Sequence, residues 1–124
     1  VGGVVVVLPG MWYCMHVSGE VRSGVGAVPM ATVGQPLPDP GRAAALRAER
    51  SRSRGLGTPN SPGGVEYPAE LVRAMYELAK SRGIRLIVDE TYRDFDSRTG
   101  APHNLFGDPD WQDTLVQLYS FSKA

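Results

Sequence analysis

Residues 84–92, with the sequence IRLIVDETY, constrain the possible folds of this chain more than any other stretch. Four of the first five residues are apolar, which is typical of a short strand buried on both faces of a parallel sheet. The apolar run stops at Asp89, so a carboxylate lies at the carboxyl end of the predicted strand. In open α/β sheets this end faces the ligand crevice, and the carboxylate there either caps the following turn or contacts a ligand.

A helix is predicted immediately before this strand. Pro68 suits the first helical turn, and Gly83 provides a C-terminal stop. Between them, Leu71, Met75 and Leu78 recur at helical spacing and form an apolar stripe. A helix that leads into a buried strand is typical of α/β folds, in which right-handed crossovers join parallel strands.

Further elements are predicted on either side of this unit. The apolar runs at residues 3–8 and 114–120 favour strands, and residues 27–33 suit an edge strand because Pro29 interrupts them. Residues 41–50 are rich in alanine and predict a second helix. The expected fold class is therefore α/β, with a mostly parallel sheet and flanking helices.

Two stretches do not follow this pattern. Residues 51–57, SRSRGLG, occupy the place of a strand, yet their two arginines and two glycines oppose strand formation. We expect either a poor edge strand or a damaged stretch at this place. Residues 93–109 are polar and contain two glycines and two prolines, which predicts a long surface connection.

Composition narrows the choice of partners and location. The thirteen basic and thirteen acidic residues balance, which indicates neither a nucleic acid nor a membrane as partner. Cys14 is the single cysteine, so an internal disulfide is excluded and a cytoplasmic location is expected. His16 and His103 have no paired ligands at metal spacing, and no metal site is expected.

Because the chain starts at Val1 and stops within a candidate motif, we expect this sequence to be an internal part of a longer protein.

Three loops that follow predicted strands contain the candidate site residues. If the strands are parallel, residues 58–64, 89–95 and 120–124 emerge at the same edge of the sheet. These loops carry Asn60, Ser61, Asp89, Tyr92, Ser120, Ser122 and Lys123. A carboxylate, a phenol, hydroxyls and an amine suit pyridoxal phosphate, which has a ring nitrogen, a phenolate oxygen, a phosphate and an aldehyde. Asparagine is also a frequent turn residue, and this favours a turn-forming role for Asn60.

The same loops carry three motifs in a fixed order: TPNSPGG at residues 58–64, VDETY at 88–92 and SFSK at 120–123. They resemble the N-P-N-N-P-T-G, D-x-x-Y and S-x-S-K motifs of the class I/II aminotransferases, a fold type I family of pyridoxal-phosphate enzymes. The resemblance implies that residues 1–124 form part of the cofactor-binding large domain, with the C-terminal small domain outside this chain. It also implies amino acid and 2-oxo acid substrates, and a homodimer for the full-length protein.

The resemblance implies a role for each matching residue. Lys123 would form a Schiff base with the cofactor and move the proton at the substrate Cα. Asp89 would pair with the pyridinium nitrogen, and Tyr92 would hydrogen-bond the 3′ oxygen of the ring. Ser120 and Ser122 would bind the phosphate.

Other positions follow the family less closely. Tyr13 lies in an aromatic segment after the first predicted strand and would stack on the cofactor ring. Ser61 holds the position of the second asparagine of the family motif, which contacts the 3′ oxygen, and serine is shorter than asparagine. Gly63 replaces the threonine of the motif, while Pro62 is kept and would follow a cis bond as in the family.

The residues leave other interpretations open. The cofactor-binding positions serve a pyridoxal-phosphate-dependent decarboxylase or lyase of the same fold equally well. The chain is also consistent with a non-catalytic remnant, in favour of which residues 51–57 and Ser61 argue. For single positions, Asp89 as a turn cap, Tyr92 as a packing residue and Lys123 as a surface lysine are the alternatives.

Overall fold

The fold is built on a parallel sheet. A computed structural model describes residues 4–7, 22, 24, 26–29, 37–45, 51–61 and 63–123. Within these residues the strands are β1 (Val4–Val7), β2 (Gly26–Pro29), β3 (Ser51–Gly57), β4 (Arg85–Asp89) and β5 (Leu115–Leu118). All pairs are parallel, and the strand order is β2-β1-β3-β4-β5. Helices α1 (Pro40–Ala45) and α2 (Ala69–Ser81) accompany the sheet, so the predicted α/β class is confirmed.

Helix α2 covers one face of the sheet with its apolar stripe. The buried residues of α2 are Val72, Met75, Tyr76 and Ala79, while Leu71 and Leu78 of the predicted stripe are partly buried. They share one core with Leu56 of β3 and with Leu86 and Val88 of β4. The helix stops before Gly83, whose φ of 62° lies in the left-handed region that glycine adopts without strain. The predicted helix and its glycine stop are therefore confirmed.

The three elements predicted before residue 51 are also present among the described residues, as β1, β2 and α1. Strand β2 lies at an edge of the sheet, in agreement with the prediction drawn from Pro29. Helix α1 begins at Pro40, and the Asp39 Oδ1 atom accepts a hydrogen bond of 2.7 Å from the Gly41 N–H. A side-chain oxygen at this place satisfies one of the free N–H groups at the start of a helix.

Residues 51–57 form strand β3, but the prediction of an edge position for this strand is wrong. The strand lies in the middle of the sheet and pairs with β1 on one side and β4 on the other. Backbone groups form a parallel ladder, so two well-placed neighbouring strands outweigh a poor side-chain propensity. Gly55, Leu56 and Gly57 are all buried in this central position.

The connection from β4 to β5 is more than the predicted surface loop. It contains short 3-10 helices at Arg93–Phe95, Leu105–Gly107 and Trp111–Asp113. Two of its residues, His103 and Leu105, are buried. The Lys80 Nζ atom on α2 lies 3.1 Å from Asp108 Oδ2 and ties the connection to the helix. Apolar burial at Leu105 and this ion pair are the physical reason that a polar, glycine- and proline-rich stretch packs against the core.

Several predictions concern residues outside the described part of the chain. Tyr13, Cys14 and His16 lie there, as do Pro62 and the last residues of the helix predicted over 41–50. Their predicted roles therefore stay predictions. The cis peptide bond found among the described residues joins Thr58 to Pro59, in the same loop as Pro62.

Arg54 is a buried cation in the middle of the sheet. It is 1% exposed and shares the face covered by α2 with its register neighbour Leu86. Its Nε and Nη1 atoms are buried and have no hydrogen-bond partner among the described residues. Burial, and to a smaller degree the positive charge of Arg82, lower the pKa of Arg54. Because a poorly partnered buried charge is costly, we expect this side chain to destabilise the fold.

Replacing Arg54 by Met tests this expectation. We expect Arg54→Met to raise the free energy of unfolding by about 3 kcal/mol, because a buried charge is exchanged for an apolar chain of similar length. Arg52 is exposed on the same strand, and Arg52→Met should change the free energy by less than about 0.5 kcal/mol. Urea unfolding of the complete gene product, followed by tryptophan fluorescence, measures both variants. Equal midpoints for the two variants would contradict the expected cost of Arg54.

Candidate active site

The loops that follow β3, β4 and β5 lie side by side at one edge of the sheet. The Thr58 N–H, after β3, donates to the Asp89 carbonyl oxygen at 3.0 Å. The Glu90 N–H, after β4, donates to the Leu118 carbonyl oxygen at 2.8 Å. These bonds extend the parallel ladder by one step past the strand ends. The three motif-bearing loops therefore emerge together, as the sequence predicted.

Asp89 ends β4 on the face opposite to the core. Side chains alternate along a strand, so Val88 points into the core beneath α2 and Asp89 points to the other side of the sheet. The Asp89 Oδ1 atom accepts hydrogen bonds from the Thr91 N–H at 3.0 Å and from the Thr91 hydroxyl at 2.7 Å. The carboxylate thus caps the turn that follows β4.

The loop after β3 is closed by its own side chains. The Asn60 Oδ1 atom accepts from the Gly63 N–H at 3.2 Å, and the Asn60 amide donates to the Tyr67 hydroxyl at 3.2 Å. The Thr58 hydroxyl accepts from the Tyr67 N–H at 3.0 Å. Asn60 is 5% exposed, so its amide serves the turn that presents the half-buried Ser61.

The loop after β5 carries the serines and the lysine. Ser120 and Ser122 lie on either side of Phe121, and their Oγ atoms are 2.8 Å apart. The Ser122 N–H also donates to Ser120 Oγ at 3.2 Å. Lys123 ends the 3-10 helix Phe121–Lys123 and is exposed. Two hydroxyls and a backbone turn thus directly precede an exposed lysine in the chain.

Tyr92 lies in the turn between β4 and the first 3-10 helix. It is half-buried, and its ring centroid is 6.2 Å from that of Phe95.

The loops after β4 and β5 meet again nearby, where the Tyr119 hydroxyl donates to Asp94 Oδ2 at 2.5 Å. The hydrogen bond to Asp94, followed by burial, raises the pKa of Tyr119. Sequence reasoning did not find this contact, because the two residues are 25 positions apart and neither belongs to a motif.

The sequence profile of the family described as aminotransferase class I and II matches residues 49–124, more than half of the chain. The chain belongs to this family. The matched region contains all three motifs together with β3, β4 and β5. The resemblance drawn from the motifs is thereby confirmed.

Named aminotransferases resemble this chain over part of their length. A probable aspartate/prephenate aminotransferase from Thermus aquaticus is 33% identical over 95 residues, which cover 73% of this chain and 24% of that protein. A double mutant of Thermus thermophilus aspartate aminotransferase superimposes with a TM-score of 0.72 at 27% identity, over 82% of this chain and 27% of that one. YbdL from Escherichia coli, described with a methionine aminotransferase function, gives a TM-score of 0.84 over 98% of this chain and 32% of that one. Its 23% identity shows a shared fold alone.

The chain spans only about a quarter of the length of the curated relative from Thermus aquaticus. It also departs from the family motif in the loop after β3. At Gly63 an added Cβ would lie 3.1 Å from Asn60 Oδ1, closer than an ordinary contact. Glycine at this place fits the hydrogen bond that Gly63 donates to Asn60. Ser61 occupies the position of the family's second asparagine with a shorter side chain.

A buried polar cluster lies behind the end of β4 and was not found from the sequence. Glu90 is 0% exposed, and its Oε1 atom is 2.9 Å from His103 Nε2. Gln117 Nε2 donates to Glu90 Oε2, and Arg93 Nη1 lies 4.0 Å from the same oxygen. Burial by itself raises the pKa of Glu90, but His103, Gln117 and Arg93 together hold that pKa below its ordinary value. The only feature of the sequence that pointed to this cluster was Glu90 itself, a second carboxylate directly after Asp89.

The described part of the chain shows neither a metal centre nor a membrane helix. No group of three or more histidine, cysteine, aspartate or glutamate side chains in it is arranged to hold a metal ion. His103 is buried and contacts Glu90 within the protein. Among the helices of the described ranges, none is long and apolar enough to cross a bilayer.

Proposed function

We propose that the protein containing this chain is a pyridoxal-phosphate-dependent aminotransferase. It transfers an amino group from an amino acid to a 2-oxo acid. The observation that carries the proposal is the pair of backbone hydrogen bonds joining the ends of β3, β4 and β5, because each end bears one motif of the aminotransferase family. A homodimeric assembly and a cytoplasmic location belong to the same proposal.

The chemistry of the residues at this edge fits pyridoxal phosphate. Asp89 supplies an anion for the protonated ring nitrogen, and the hydroxyls of Ser120 and Ser122, 2.8 Å apart, suit the oxygens of a phosphate. The exposed amine of Lys123 suits the aldehyde. When bound, the cofactor supplies an electron sink for the bonds at the substrate Cα.

Each residue then has a defined task. Asp89 holds the proton on the ring nitrogen, and its two hydrogen bonds from Thr91 keep the carboxylate oriented. Tyr92 binds the 3′ oxygen of the ring, and Ser61 and Asn60 shape the loop beside it. Lys123 would attach the cofactor and carry the proton from the substrate Cα to the cofactor C4′ atom. Tyr13 is proposed to stack on the ring.

Product analysis tests the reaction. The complete gene product, loaded with pyridoxal phosphate, is incubated with a panel of amino acids and one 2-oxo acid as amino acceptor. We expect each new amino acid to match the carbon skeleton of the acceptor, with one 2-oxo acid formed per amino group transferred. Release of carbon dioxide, or of ammonia without a new amino acid, would contradict amino transfer and indicate the decarboxylase or lyase alternative.

A further inference from the structure

Glu90 is the most deeply buried carboxylate at the candidate site, although it has no task in the proposed reaction. It lies between Asp89 and Tyr92 in sequence, with 0% exposure. Its side chain points to the opposite side of the sheet from Asp89, into the region beneath α2 and the β4–β5 connection. A buried carboxylate is retained at low cost only where polar partners surround it.

Three side chains from three different places supply those partners. His103 comes from the β4–β5 connection, and its Nε2 atom lies 2.9 Å from Glu90 Oε1, although the ring is not aligned for a linear hydrogen bond. Gln117 comes from β5 and donates to Oε2. Arg93, from the first 3-10 helix, adds a positive charge 4.0 Å from Oε2. Glu90 thus joins the strand end, the neighbouring strand and the connection.

His103 is itself held in a fixed orientation. Its Nδ1 atom accepts a hydrogen bond of 3.3 Å from the Leu105 N–H, so the ring proton is placed on Nε2, facing Glu90. His103 is 7% exposed, and its ring packs beside Phe106, with ring centroids 5.8 Å apart. The imidazole is therefore held in a fixed position beside Glu90, behind the strand end.

The backbone of Glu90 connects the cluster to the candidate cofactor residues. The Glu90 N–H bonds to the Leu118 carbonyl at 2.8 Å, and the Glu90 carbonyl accepts from the Arg93 N–H at 3.0 Å. The second bond closes the turn that contains Tyr92. Movement of the Glu90 side chain would therefore shift the residues on both sides of it.

We propose that Glu90, His103 and Gln117 form a buried brace that holds Asp89 and Tyr92 in position for the cofactor. The contacts within the brace are observed in the structure. Its role toward the cofactor rests on the proposed function. Its members are positioning residues, because they act on the cofactor only through Asp89 and Tyr92.

Four variants of the complete gene product test the brace. Glu90→Gln removes the charge with little change of shape, and Asp108→Asn is the matched acid-to-amide control. Asp108 anchors the same connection through Lys80, away from the strand end. His103→Asn keeps an acceptor for the Leu105 N–H but is too short to reach Glu90. His103→Gln keeps a donor that reaches Glu90, so it is the conservative rescue variant.

The first measurement needs no cofactor. Hydrogen exchange of the Glu90 and Arg93 amides reports the two backbone bonds of the strand end. We expect exchange to accelerate about tenfold in Glu90→Gln and His103→Asn, the scale of one lost hydrogen bond to a charged group. The Leu86 amide, which donates to Thr114 at the start of β5, should not change. Asp108→Asn and His103→Gln should resemble the wild type at all three amides.

The second measurement is binding of pyridoxal phosphate, followed by the circular dichroism of its visible absorption band. We expect affinity to fall about tenfold in Glu90→Gln and His103→Asn, the size of effect seen when the residues behind metal ligands are replaced. The dichroic signal of the remaining bound cofactor should weaken as well, because the ring is held less rigidly. The control and rescue variants should keep both properties within about twofold.

The two measurements separate the two hypotheses. Wild-type protein that binds no pyridoxal phosphate would overturn the proposed function, while altered exchange in the variants would still demonstrate the brace. Wild-type binding with unchanged exchange and affinity in Glu90→Gln and His103→Asn would overturn the brace alone. An equal loss in Asp108→Asn would also overturn it, since anchoring of the connection would then be a sufficient explanation.

Discussion

Lys123→Ala is expected to lower turnover of the complete gene product by at least about 10³-fold, because one amine both attaches the cofactor and moves the proton. Lys123→Arg should be equally inactive, since a guanidinium keeps the positive charge but neither attaches the aldehyde nor exchanges protons near neutral pH. Pyridoxal phosphate should still bind to both variants through Asp89 and the serines, without a covalent bond.

The chain itself offers the control for this experiment. It contains two lysines, Lys80 and Lys123, and Lys80 Nζ is engaged with Asp108 at 3.1 Å. After borohydride reduction of the loaded protein, peptide mass mapping should place the cofactor's mass on Lys123. Lys80→Arg should keep the label and the activity. Labelling of Lys80, or undiminished turnover in Lys123→Ala, would refute the role of Lys123.

Asp89→Asn should lower turnover by about 10²-fold or more, the effect of removing one preorganised electrostatic group from an active site. The amide keeps an oxygen that can accept from the Thr91 N–H and hydroxyl, so the turn cap survives. What it loses is the negative charge that holds the proton on the ring nitrogen. We therefore expect the variant still to bind the cofactor, with lower affinity, while its steady-state turnover rate falls strongly.

Two companion variants separate the charge from the cap. Asp89→Glu keeps the charge at a shifted position and should lose less activity than Asp89→Asn. Thr91→Val removes the hydroxyl that donates to Asp89 at 2.7 Å and leaves the carboxylate in place, so it should cost less than either. Rates are compared at saturating amino acid. Wild-type turnover in Asp89→Asn would mean that the carboxylate is only a cap.

The central position of β3 bears on the non-catalytic remnant interpretation. Residues 51–57 argued for a remnant as long as they were expected to be damaged. They instead form the middle strand, with hydrogen bonds to both neighbours. Two arguments for a remnant stay: Ser61, which replaces the asparagine of the family motif, and Arg54, whose poorly partnered guanidinium lowers stability without removing the strand.

Local patterns were sufficient for the elements around residues 58–123. Helical spacing at Leu71, Met75 and Leu78, the stop at Gly83 and the apolar run before Asp89 each depend on a few consecutive residues. The predicted parallel arrangement then brought the three motif-bearing loops to one edge. These predictions succeeded because helix amphipathicity and buried strands have short periods that appear directly in the sequence.

Tertiary structure alone decided the rest. Residues 51–57 become a strand because β1 and β4 lie on either side of them. The local sequence SRSRGLG does not predict that these two strands will be its neighbours. Glu90, His103 and Gln117 are far apart in the chain and meet only when the β4–β5 connection folds back over the strand end. The sequence by itself determined which chemical groups are available and on which loops. Their burial and pairing depend on long-range packing, which local patterns do not encode.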